Sequence, residues 1–267
     1  MCRGIGAALL VLVVITGGAV ADEPSAELTV LSFNVRSARG EIGGEPRYDE
    51  ANMAALLTLI EELRPGVVLL QELDRGVART ERVDQFESLR AATGMEGEFA
   101  GTTDYQGGRF GIAVLTRHEI VDTSHERLPR LGGKEPRALQ HLKIRLENGW
   151  EVDLFNTHID PRPVSRDRQI ELVHEHTTRL ASNAAVLAGD FNATPGSSAI
   201  TRLTDAWTDA AAHAAAAAPT YPARTPSVRV DYVFFRRERL ELRSFATLEA
   251  RGISDHRPLF ARFDVRP

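Results

Sequence analysis

Six times along this chain a short apolar run, of the kind that becomes a buried strand, stops and a side chain able to hold a metal ion or a proton follows at once. The residues are Asn34, Glu72, His158, Asp190 with Asn192, Asp231, and Asp255 with His256. Buried strands exclude water, so polar groups at their ends collect at the rim of a sandwich, where a ligand can reach them. One such residue is ordinarily a turn former, a solvated strand end or a helix cap. Six in one chain are not explained that way.

The runs set the fold class. Strands are expected over residues 28–35, 67–70, 111–116, 139–146, 150–157, 185–188, 230–235 and 259–263. Helices are expected over 49–63, where Met53, Leu56, Leu57 and Ile60 follow the helical period before Pro65-Gly66 stops it, and over 86–93 and 166–182. Many short strands with few helices between them imply two packed sheets flanked by helices, not a doubly wound parallel sheet. With 43% apolar and 26% charged residues in 267, the chain can build one large core. No repeat of fixed period occurs, and the alanine-rich stretch 210–218 reads as a surface segment without chemistry.

The first residues speak to the compartment. Arg3 supplies a positive start, residues 7–15 are apolar, and Ala19-Val20-Ala21 has the small-x-small form of a signal-peptidase site. Residues 1–21 are therefore read as a cleaved leader and 22–27 as a linker, with a catalytic domain over 28–267 and a secreted or periplasmic protein that keeps no membrane anchor. The sole cysteine, Cys2, falls in the leader, so the mature chain carries neither disulfide nor thiol nucleophile. A net charge of −5, from 37 acidic and 32 basic residues, argues against a nucleic-acid binder that relies on a strong positive field, without excluding a nuclease.

Each residue type suits one task. Mg²⁺ or Mn²⁺ takes hard oxygen ligands, which Glu72 and Asn34 offer. Asp190 and Asn192, two apart, point to one side if the strand stays extended, and Gly189 leaves room for a close approach. Asp255-His256 joins an acid to a group that titrates near neutrality. Asp231 can orient that histidine, and His158 can hydrogen-bond a phosphate oxygen or a leaving group. A serine-esterase elbow and an H-E-x-x-H zinc motif are both missing from the sequence. His174 and His176 are two apart on a helix and face away from each other.

The segments LSFNV, LLQELD, NTHID, AGDFNATP, RVDYVF and SDHRP together resemble the endonuclease/exonuclease/phosphatase superfamily, in that family's order and over residues 28–263. The resemblance implies an α/β fold: a four-layer α/β sandwich, deoxyribonuclease-I-like, with two central mixed sheets flanked by helices and the site at one end. It implies metal at Glu72 with Asn34 and Asp255. Asp190 and Asn192 would position or activate the attacking water and hold phosphate. His256 with Asp231 would be the catalytic histidine pair, and His158 would bind phosphate. In-line attack of water on phosphorus would follow.

Ile112 departs from the asparagine that many relatives carry there. Arg137 is read either as a bidentate phosphate grip or as a structural ion pair. Arg109 is read as a surface residue or phosphate contact, Arg168 and Gln169 as structural, Trp150 and Trp207 as packing, and Thr220-Tyr221 as near the pocket. The expected activity is hydrolysis of a phosphodiester or phosphomonoester by a monomer, with a small phosphorylated molecule or lipid headgroup favoured and an extracellular nuclease as the alternative. A non-catalytic binding module of the same fold would have lost metal or histidine positions, and none is lost here.

Overall fold

The computed structural model describes residues 26–40, 47–132 and 135–267. The leader read at residues 1–21, with Cys2, lies outside the described residues, as does the linker up to residue 25. The linker ends earlier than expected, because Ala26 and Glu27 already pair with Val265 and Asp264.

In chain order the strands are β1 (Ala26–Asn34), β2 (Val67–Arg75), β3 (Glu96–Tyr105), β4 (Gly108–Thr116), β5 (Glu119–Leu128), β6 (Arg137–Arg145), β7 (Glu151–His158), β8 (Ala185–Asp190), β9 (Thr208–Asp209), β10 (Asp231–Phe235), β11 (Leu240–Thr247) and β12 (Leu259–Val265). The helices are α1 (Glu50–Leu63), α2 (Gln85–Thr93), α3 (Pro163–Leu180), α4 (Ser198–Thr204) and α5 (Ala210–His213). They form two six-stranded mixed sheets, ordered β11-β12-β1-β2-β4-β3 and β5-β6-β7-β8-β10-β9.

Strand alternation builds the layers. In β2, Val67 and Leu69 face the second sheet, where they meet Leu142, Leu154, Val186 and Val233. Val68 and Leu70 face the other way, onto Leu56 and Ile60 of α1 and Phe86 and Leu89 of α2. β8 repeats this: Val186 and Ala188 point between the sheets, and Leu187 points to Ile170 and Val173 of α3 and Leu203 of α4. Central strands covered on both faces must be apolar at every position. The result is a four-layer α/β sandwich.

Every strand that the apolar runs did not disclose, β3, β5, β9 and β11, stands at an edge of its sheet. β5 is exposed at most of its positions, so it has no apolar run to read, and β9 has only two residues. Of the alanine-rich stretch, only Ala210–His213 is helical, capped by Asp209, and its buried residues are Ala210 and Ala211.

Two parallel pairs, β1 with β2 and β7 with β8, bring the carboxyl ends of their strands to the rim. His158 lies opposite Asp190 across β7 and β8, and Asp190 lies opposite Asp231 across the antiparallel β10. The six polar positions are therefore of two kinds. Asn34, Glu72, His158 and Asp190 close a strand or stand near its end, whereas Asp231 opens β10 and Asp255-His256 precede β12. The expectation that an apolar strand runs into each of them is corrected for the last two, whose strands run away from the rim.

Gly189 has φ +145, and a Cβ there would sit 1.9 Å from the carbonyl oxygen of Thr157. The room it leaves is used by β7, not by a ligand. Gly189→Ala is therefore expected to destabilise the fold by roughly 3 kcal/mol or more, the upper end of overpacking costs, seen as a lower urea midpoint at unchanged m-value.

Candidate active site

β2 would carry Glu72 in strict alternation, but the β2–β4 ladder changes register between Leu70 and Leu73, and Glu72 takes φ +60. Such a bulge re-aims a side chain at a cost in local strain. It leaves Glu72 half-buried on a cleft of about 480 Å³, whose lining includes Arg36, Arg137, His158, Asp190, Asn192, Asp255 and His256.

The bulge depends on a residue of the other sheet. Asn156, fully buried in β7, donates through Nδ2 to the carbonyls of Leu70 (3.1 Å) and Ala113 (2.9 Å), and its Oδ1 accepts from Gln71 Nε2 at 2.8 Å. The sequence assigns Asn156 no role, although an amide directly after the apolar Leu154-Phe155 pair and opening the NTH segment was a usable signal. Asn156→Leu removes both donations to these carbonyls and the acceptor of Gln71 Nε2, at roughly 1–3 kcal/mol for each buried group left unsatisfied. We expect a lower thermal midpoint and a weaker response to added divalent cation, measured by melting with and without metal.

Oδ2 of Asp190 is the hub. Asn34 Nδ2 donates to it at 3.0 Å, His158 Nε2 lies at 3.3 Å and His256 Nε2 at 3.8 Å. Asn34 Nδ2 also donates to Glu72 Oε1 at 3.1 Å, while its Oδ1 accepts from the Arg36 backbone N–H. The amide thus turns its nitrogen, not the expected oxygen, toward the two carboxylates, and an oxygen ligand would need the opposite amide orientation. Asn192 does not lie on an extension of β8. It has φ +48, its N–H donates to Asp190 Oδ1 at 2.9 Å, and its Nδ2 donates to the carbonyl of Ile159. A turn closed by Asp190, rather than strand alternation, brings Asn192 to the cleft.

His256 Nδ1 lies 3.0 Å from Asp231 Oδ2 and 3.2 Å from Oδ1. Two small hydroxyls, neither assigned this role from the sequence, hold this pair. Ser254 Oγ donates to the carbonyl of Asn34 and accepts from the His256 backbone N–H. Thr220 Oγ1 accepts from the N–H groups of Val230 and Asp231. The serine two residues before His256 is a recognisable turn former, and Thr220, read with Tyr221 as near the pocket, is not on its lining and works through the backbone of β10.

Burial drives the charges of the site. It pushes the Asp190 carboxyl up to about 7, helped by Asp231 and opposed by His256. Burial alone would lower His256, but the carboxylates of Asp231, Asp190 and Asp255 outweigh it and push the imidazole up to about 10. His158, fully enclosed and near Arg137 and His256, is held well below the usual histidine range. Asp255 is raised mainly by burial, with Arg36, 3.3 Å away, opposing.

The donor set suits a hard cation. Glu72, Asp190 and Asp255 are carboxylates gathered on one cleft, two of them raised in pKa chiefly by burial, and a divalent ion would offset the cost of holding them charged there. Asp190, Asp231 and His256 also present ligand atoms within 4.8 Å of one another. Because Nδ1 of His256 is already engaged by Asp231, that trio reads as a carboxylate–imidazole pair facing a third acid.

All nine expected site residues meet at this rim or directly behind it. Arg137 is one of them, and its contacts are His158 and Glu135. Tyr221 and Val228 form an apolar wall, with the Tyr221 ring 4.9 Å from that of His256. Arg109 stays outside the cleft, 3.7 Å from Asp104. Gln169 is structural, accepting from the Asp160 N–H and donating to the Pro129 carbonyl. His176 pairs with Glu126 on the surface, and Trp207 is core.

The sequence profile of the Endonuclease/Exonuclease/phosphatase family matches residues 31–256. No curated protein matches the chain by sequence. Solved structures share the fold. A Bacteroides thetaiotaomicron endonuclease/exonuclease/phosphatase family protein is 18% identical with a TM-score of 0.76, covering 91% of this chain and 100% of its own. The mannosyl-6-phosphatase of Bacteroides thetaiotaomicron VPI-5482 is 19% identical with a TM-score of 0.74 (88% and 99%). The human nocturnin catalytic domain with bound sulfate is 19% identical with a TM-score of 0.69 (90% and 94%). A profile match that spans the six converging segments from β1 to His256, on a sandwich these structures share, means that the chain belongs to the endonuclease/exonuclease/phosphatase family, whose members are hydrolases of phosphoesters.

Proposed function

We propose that this protein is a divalent-metal-dependent phosphoesterase of the periplasm or the medium, acting as a monomer on a small phosphorylated molecule or a phospholipid headgroup. The observation that carries this reading is the gathering of Asn34, His158 and His256 within 4 Å of one carboxylate oxygen of Asp190, in a cleft that also holds Glu72 and Asp255. The exocytoplasmic placement rests on the leader read in the sequence.

Glu72 and Asp255, joined by Asn34 once its amide is turned to present Oδ1, would hold Mg²⁺ or Mn²⁺, which when bound offsets charge on the phosphoryl group. Asp190 takes the proton from the attacking water as its oxygen bonds to phosphorus. Asn192 fixes Asp190, and His158 gives a hydrogen bond to a non-bridging oxygen. The P–O bond to the leaving group breaks, and His256, kept charged by Asp231, supplies the proton that the departing oxygen takes up.

The cleft favours a compact substrate. About 480 Å³ admits a phosphoryl group and one ring or short chain, and Pro161, Tyr221, Val228 and Val230 give that group an apolar wall. A mannosyl-6-phosphatase and a sulfate-binding domain of the same fold are compatible with phosphate-sized anions and sugar phosphates here. A hydrolysis panel tests the reading: sugar and inositol phosphates, sphingomyelin, bis-p-nitrophenyl phosphate and plasmid DNA, each with Mg²⁺, Mn²⁺ and chelator. Metal-dependent release from the small esters or the lipid supports it. Cleavage confined to DNA makes the protein a nuclease, and turnover that survives chelator removes the metal.

A further inference from the structure

Arg137 opens β6 with only 7% of its surface exposed. Its Nη1 lies 2.9 Å from Nδ1 of His158, and its Nη2 lies 3.3 Å from Glu135 Oε2. Its Nε is buried and has no hydrogen-bond partner. Beside it, Ile112 and Ala138 line a narrow gap shared by Arg137 and His158, and both belong to an apolar cluster with Ala100. The hydroxyl of Thr102, also on that gap, donates to the Phe110 carbonyl at 3.1 Å and makes no hydrogen bond to Arg137. Of the Arg137 donors, Nη1 is thus the one directed at the imidazole.

Donor and acceptor chemistry then settles the state of that imidazole. A guanidinium has five N–H groups, accepts nothing and stays protonated. A nitrogen that faces it at 2.9 Å must bring a lone pair, so Nδ1 of His158 carries no hydrogen. The one remaining N–H is on Nε2. The other end of the ring is compatible with this: Nε2 lies 3.3 Å from the Asp190 Oδ2 acceptor, with Glu72 Oε1 farther off at 4.0 Å, and the Asn192 Nδ2 donor 3.4 Å away is engaged more closely by the Ile159 carbonyl at 2.9 Å. A doubly protonated ring would set N–H against N–H inside a buried site.

We propose that Arg137 is a positioning residue: by donating to Nδ1 it locks His158 as the neutral Nε2–H tautomer, with its single N–H turned into the cleft as a fixed donor to a phosphoryl oxygen. The phosphoryl part rests on the function proposed above, whereas the lock does not. The role differs from both sequence expectations, because the buried guanidinium acts on substrate through His158, and its ion pair with the half-exposed Glu135 is secondary. The apolar cluster contributes by offering Arg137 no other acceptor.

The test is long-range ¹H–¹⁵N correlation on protein labelled with ¹⁵N-histidine, with His158→Gln used to assign the signal. At neutral pH His158 is expected to show a bare Nδ1 and a protonated Nε2. Arg137→Met keeps the stem and removes the donors. It should mix the tautomers and lower kcat on bis-p-nitrophenyl phosphate by about 10–100-fold, the usual effect of losing a group that orients a working imidazole, with KM little changed. Arg137→Gln, which retains an amide donor, should recover part of both. A wild-type spectrum with the proton on Nδ1, or on both nitrogens, overturns the proposal. So does an Arg137→Met protein whose tautomer is unchanged while KM rises, because Arg137 would then grip substrate directly. If Arg137→Met does not fold, the wild-type spectrum and Arg137→Gln decide. Absence of hydrolysis on every ester would end the functional reading while the spectrum still judged the lock.

Discussion

His256→Ala is expected to lower turnover by roughly 10²–10⁴-fold, the range for a positioned acid–base group, in a protein that still folds. The imidazole is fixed by Asp231 at 3.0 Å and faces Asp190 at 3.8 Å, so it sits where charge changes hands and nothing nearby replaces it. Stability should respond with a definite sign. Because the folded protein raises His256 from 6.5 to about 10, its contribution is fully present below the ordinary histidine pKa, declines above it and is lost as pH climbs through the folded value. The melting-temperature gap between wild type and variant should therefore be wider in mildly acidic solution than at neutrality and close toward pH 10. Near-normal turnover in His256→Ala would remove this residue from the chemistry.

Glu72→Gln is expected to shift the midpoint of metal activation by more than the roughly 10–100-fold that follows loss of a group merely supporting a ligand. The amide has the shape of the carboxylate, so the bulge and the Asn156 clamp survive, while one full negative charge leaves a site whose affinity for a hard cation scales with charge. Excess Mg²⁺ or Mn²⁺ should restore part of the activity, and calorimetric titration of Mn²⁺ should show the same displacement without any substrate. An unchanged titration would take Glu72 out of the metal site. The two substitutions separate cleanly, since His256→Ala should leave cation binding in place.

Much of the site was legible because its chemistry-bearing residues stand where buried strands meet the rim, and burial writes itself into sequence as unbroken apolar runs. Asn34, His158 and Asp190 could be picked out this way, as could the Asp231–His256 pair. What could not be read was how each side chain is aimed. Strict alternation from Leu70 does not account for Glu72; a bulge with φ +60 does. Strand periodicity placed Asp190 and Asn192 on one side, yet a turn with φ +48 at Asn192 performs that task. Asn156 works by reaching carbonyls 86 and 43 residues away, and no local pattern encodes such a partner. The four edge strands were silent for a related reason, since a strand with an open flank need not be apolar.

By itself the sequence determined the layered α/β class, the central strands and the identity of the reactive groups, because hydrophobic periodicity and residue chemistry are local properties. Only the tertiary structure decided which groups face which: that Asn34 turns its nitrogen to the carboxylates, that Arg137 addresses His158, and that Asp190 lies at the centre. Those are distances between segments remote in the chain, set by sheet register and by burial, and burial is also what moves Asp190 and His256 away from their ordinary pKa values.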